Sequence, residues 1–95
     1  MPDHSHETPA ARYLAAWQSY DVACYRVAHA IDERQTTHEF AVEERAAGRE
    51  TQERLDQLER TRQEVEAAFV EALLAMRALA IVVREVAPPE LGLGG

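Results

Sequence analysis

Between Leu55 and Val86 an apolar stripe recurs in alternating steps of three and four residues: Leu55, Leu58, Arg62, Val65, Phe69, Ala72, Met76, Leu79, Val83, Val86. Steps averaging 3.5 residues keep side chains on one face of an α-helix. They exclude a strand, whose faces alternate at every residue. Arg62 is the stripe's single charged member. Sustained over this length, the stripe predicts one long helix ending before Pro88-Pro89, because proline lacks the N–H a helix interior needs.

A second stripe precedes it: Tyr13, Trp17, Tyr20, Cys24, Val27, Ile31. Continued at the same steps it meets Arg34, His38, Ala41, Arg45 and Gly48, so it turns polar towards its C-terminal end. Thr8-Pro9 supplies an N-cap hydroxyl followed by proline at the first helical position, where a missing N–H costs nothing. Two places compete for the turn between the helices. Thr36 and Glu39 read as a capping box. Gly48 and Thr51 read as a C-terminal cap followed by a new N-cap, with Gln52 and Glu53 in the next first turn. Packing favours the second, because a turn at 48–51 brings the two apolar halves together. A turn at 36–38 would set Tyr13–Ile31 against the polar Glu43–Arg60.

The predicted fold is all-α: a long antiparallel helical hairpin over residues 9–87, with arms Pro9–Ala47 and Gln52–Val86. A flexible tail over 1–8 precedes it, and a Pro/Gly-rich tail over 88–95 follows. Two helices enclose little core, and small scaffolds draw stability from staples or partners. The second arm also carries Val70, Leu73, Leu74, Ala80, Ile81 and Val82 around its circumference. A helix apolar on several sides is buried on several sides. The expectation is therefore self-association, most simply of two hairpins into a four-helix bundle, or docking onto a larger complex. The residues expected at that interface are Tyr13, Trp17 and Tyr20 on the first arm. On the second they are Phe69, Val70, Leu73, Leu74, Met76, Leu79, Ile81, Val82 and Val83.

Charge narrows the partners. The net charge is −7, and all ten basic residues are arginine. Broad nucleic-acid binding needs excess positive charge, and anionic membrane surfaces attract the same. Ala67–Val83 is apolar, but it is short for a membrane span and contains Glu71 and Arg77. A single cysteine, Cys24, excludes an internal disulfide and fits a reducing compartment. With no basic segment leading into an apolar run at the N-terminus, the expected location is the cytoplasm.

Few residues suggest chemistry. If Met1 is removed, the chain starts Pro2-Asp3-His4. A free amine, two amide nitrogens and an imidazole then form a coplanar set suited to Cu(II) or Ni(II), with His6 as an axial ligand. This makes a small metal-handling protein the alternative function. His29 and Glu33, one helical turn apart, could hold half of another site. His38 lies on the extension of the first stripe, where it could form a pH-sensitive polar layer. Di-iron bundles use Glu-x-x-His on two helices, and the second arm has no histidine. Phosphate loops, nucleophile elbows and His-Glu-x-x-His are all missing, so the chain is expected not to be an enzyme and to hold no resident cofactor.

The stretch Glu39–Glu66 contains nine acids and five arginines. It reads as a solvated helix end, or as a handle by which an acidic regulator grips a basic partner. Leu91-Gly92-Leu93-Gly94 behind Pro88-Pro89 resembles the Gly/Leu-rich loading peptides of encapsulin cargo, although their usual Ser-Leu continuation is missing. The resemblance implies a tail that docks in a partner's groove.

Overall fold

The computed structural model describes residues 8–86, and all of its regular structure is helical. Helix α1 spans Pro9–Ala46 and helix α2 spans Gln52–Val86, packed against each other as an antiparallel hairpin. At 1.5 Å per residue they are roughly 57 and 52 Å long. The two tails, with the copper site at Pro2–His6 and the docking peptide at 88–95, lie outside the described residues.

Each visible helix end has a local cause. The Thr8 hydroxyl accepts from the Ala11 backbone N–H at 3.1 Å, and Pro9 follows it. Helix α1 passes through Thr36–Thr37 without a break and stops at Gly48, whose φ of 71° only glycine adopts freely. Gly48 N–H donates to the Arg45 carbonyl at 3.1 Å, and Arg49 N–H to the Glu44 carbonyl at 2.7 Å. That pair of bonds is the Schellman closure, which satisfies carbonyls a helix end leaves open. Two residues later the Thr51 hydroxyl accepts from Arg54 N–H at 3.2 Å and starts α2. A Cβ at position 48 would meet nothing within 4 Å. Gly48→Ala should therefore lose only the backbone's left-handed freedom, about 1 kcal/mol. The check is thermal unfolding, with Gly48→Asn expected to fall between the two because asparagine tolerates that region.

The line along which the helices touch differs from the expected one. On α1 the residues withdrawn from solvent are Ala16, Tyr20, Ala23, Val27, Ala30, Thr37, Ala41 and Glu44. On α2 they include Arg54, Leu58, Thr61, Val65, Ala68, Ala72, Ala75, Leu79 and Val82. Tyr20, Val27, Ala41, Leu58, Val65, Ala72 and Leu79, together with the half-buried Arg62 and Val83, belong to the stripes read from the sequence. The other half of each stripe is displaced by one residue. Ala23 and Ala30 replace Cys24 and Ile31, while Ala68 and Ala75 replace Phe69 and Met76. The reason is steric. Side chains one methyl long let two helix backbones approach closely, and flanking residues then cover the contact. A line of Trp17, Ile31, Phe69 and Met76 would hold the helices apart.

Ala30, Val65 and Ala68 form the core cluster, with Val27 packed against it. Ala30 clustered with Ala68, and Glu44 paired with Arg54, mark which residues lie level with each other. Steps of seven residues from them place Ala23 level with Ala75 and Thr37 level with Thr61. Thr61 keeps its hydroxyl satisfied by donating to the Leu58 carbonyl at 2.8 Å. At the turn end, Arg54 donates from Nε to Glu44 at 2.6 Å and from a terminal nitrogen to Gln57 at 2.7 Å. Its guanidinium also sits 5.6 Å from the centre of the Phe40 ring.

Candidate protein interface

The one-residue displacement decides what the hairpin presents to its surroundings. Trp17, Cys24 and Ile31 each follow a contact-line alanine by one residue, hence by roughly 100° around the helix. Taken with Tyr13, Tyr20 and Val27, they form a stripe centred roughly 50° away from the direction of α2. Phe69, Met76 and Val83 follow Ala68, Ala75 and Val82 in the same way. In an antiparallel pair, equal offsets in the same rotational sense carry both stripes to the same side. The large residues of the two stripes therefore share one broad face.

Aromatic contacts run along that face. The Tyr13 and Trp17 rings meet edge to face with centroids 6.3 Å apart, and Trp17 and Tyr20 lie 5.8 Å apart. The Cys24 thiol one helical turn on holds the Tyr20 phenol above its ordinary value. Among the described residues no large side chain is fully buried. Trp17 remains 40% exposed and Phe69 47% exposed, with Leu14, Ile31, Leu73 and Met76 comparably open.

The opposite face is tied by ion pairs. Arg26 reaches Glu71 at 3.2 Å, and Arg12 pairs with Glu85, both across the two helices. His29 Nε2 lies 3.2 Å from the Glu33 carboxylate, which the sequence spacing anticipated. Asp32, Thr36, Gln57 and Glu64 line the same open groove as His29 and Glu33. Even so, no three His, Cys, Asp or Glu side chains among the described residues converge as a metal site would require. Val22, Leu74 and Ile81 are apolar residues on this side, interleaved with those charged pairs.

The twelve residues expected at the interface are thus divided. Tyr13, Trp17, Phe69, Leu73 and Met76 lie exposed on the broad apolar face, with Tyr20 and Val83 half-buried along its inner edge. Val70 points away from α1, while Leu74 and Ile81 are exposed on the ion-paired side. Leu79 is 7% exposed, and Val82 is half-buried, so the hairpin itself takes up these two. Cys24, expected in the core, is exposed on the apolar face. His38 also lies on this side, in a shallow recess with Val42, Arg45, Leu55 and Leu58 near the turn. Sequence reasoning passed over Leu14 and Val42, both exposed there. Their signal was the seven-residue recurrence of alanine at 16, 23 and 30, which fixes the true contact line and so the outward face.

Towards the turn the apolar face becomes charged, and the two helices differ in sign. On α1 it carries Arg34, His38 and Arg45. On α2 it carries Glu59 and Glu66, with Arg62 between them bonding to both. The hydrogen bonds from Arg62 hold the Glu59 carboxyl below its ordinary value, and the acids hold the guanidinium above its own. Among the described residues no helix is long and apolar enough to cross a membrane. No family model, no curated protein and no solved structure matches this chain.

Proposed function

We propose that this chain is a non-enzymatic interaction module, a scaffold or accessory subunit that works by seating its apolar face on protein. One observation carries the reading: the hairpin packs largely through alanines and leaves Trp17, Ile31, Phe69, Leu73 and Met76 open together on one outward side. Most isolated proteins expose no contiguous apolar patch beyond a few hundred Å², and larger ones mark interaction sites. The aromatic residues concentrated here are the types that dominate binding energy at interfaces. A larger partner would complete the core that the hairpin lacks.

Light scattering on the untagged protein tests this. At micromolar concentration the native mass should exceed that of a single chain. Phe69→Glu combined with Met76→Glu should reduce it to the single-chain value of 10.7 kDa. Both residues are exposed in the hairpin, so circular dichroism should still report helix. A parent protein that is already a stably folded, monodisperse single chain would overturn the reading.

A further inference from the structure

We infer that the partner of the apolar face is a second copy of this chain, packed face to face with both turns at the same end. Each α1 then lies over the α2 of the other copy. This deepens the function proposed above and rests on it.

Three observations lead there. The first is direction. In a square four-helix bundle each helix aims its core residues at the central axis, about 45° away from its neighbours. The stripes through Trp17 and Ile31 on α1, and through Phe69 and Met76 on α2, are offset from the hairpin's contact direction by roughly 50°. They are misaligned for a two-helix pair and aligned for a layer facing another layer. The second is area. Leu14, Trp17, Ile31, Phe69, Leu73 and Met76 are each between two-fifths and three-fifths exposed. With Tyr13 and Leu55 their open surface is on the order of 800 Å² per chain, about what one partner contributes to a standard stable interface.

The third is charge, and it selects the orientation. Rotating one hairpin about an axis parallel to the helices lays apolar half on apolar half and charged half on charged half. Arg34 and His38 of each copy then lie above the Glu59 and Glu66 end of the other. Rotation about an axis across the helices places α1 on α1. Matching the apolar halves in that case leaves both charged halves overhanging, while full overlap sets Trp17 against the charged half.

The register locates a reporter. Cys24 lies level with Leu73 and Leu74, and it is exposed on the apolar face. In the inferred bundle Cys24 of one copy approaches position 73 of the other, whereas the two native Cys24 residues lie diagonally across the core. The experiment combines native mass with oxidation of the full chain. The parent should weigh twice 10.7 kDa and form little disulfide-linked dimer. The Leu73→Cys variant should become predominantly covalent dimer under the same oxidation, with helicity unchanged by circular dichroism. A doubled mass in which the parent itself links through Cys24 and Leu73→Cys adds nothing would overturn the arrangement. A particle containing one copy and another protein, released by Phe69→Glu with Met76→Glu, would overturn the second copy and leave the interaction module standing. A stable single chain would overturn both.

Discussion

Ala68→Leu destabilises the protein by about 1–3 kcal/mol, whereas Ala67→Leu, one residue earlier, changes stability by less than about 0.5 kcal/mol. The two alanines are adjacent in the same helix, and the substitution changes helix propensity equally at either one. They differ by roughly 100° around α2. Ala68 is 8% exposed, clustered with Ala30 and Val65, and Ala67 is open to solvent. Adding three carbons at position 68 forces the helices apart along their closest approach, and every flanking contact loosens with it. Urea unfolding of the three proteins at equal concentration, followed by circular dichroism, provides the check. Equal tolerance at both sites would mean that alanines do not form the contact line.

Leu79→Ala removes the largest apolar side chain buried between the helices and should cost about 2–3 kcal/mol. Leu74→Ala makes the same chemical change where the side chain is 60% exposed, so its cost should stay below about 0.5 kcal/mol. A leucine buried among neighbours loses both its transfer free energy and the contacts around the cavity it leaves. The exposed one loses neither. Near the open end of the hairpin Leu79 has few large companions, which sets the expected figure low in the usual range. If the two variants melt together, Leu79 is not part of the hairpin's interior.

How far could the sequence be read? The helices and their ends were legible because each rests on local chemistry. Thr8-Pro9 starts α1, Gly48 ends it, and Thr51 begins α2 through groups only a few bonds apart. The turn also followed from a global argument, since only a reversal after Gly48 sets apolar half against apolar half. The contact line was not legible by the same means. Reading periodicity weights large apolar residues, so Trp17, Ile31, Phe69 and Met76 drew the stripe towards themselves. Alanine recurs with the same period one residue earlier, but alanine is also the commonest helix former, so its recurrence looks like propensity. The excess of apolar surface on the second arm was visible from composition alone. Its division between two faces depended on which residues touch, and so it appeared only with the fold.

The small-residue ladder has a consequence for how the hairpin is aligned. Ala16, Ala23 and Ala30 face Val82, Ala75 and Ala68, and rungs this alike are nearly interchangeable. Sliding one helix by seven residues, about 10 Å, would set alanine against alanine again. Charge does not forbid the slip. Moved one rung, Arg26 exchanges Glu71 for Glu64. What distinguishes the native alignment is the closed end, where the short connection through Gly48 fixes the starting point and Arg54 locks onto Glu44 and Phe40. The hairpin is thus indexed from its turn outward. Most of its length supplies adhesion without position, and the residues at the turn determine which rung meets which.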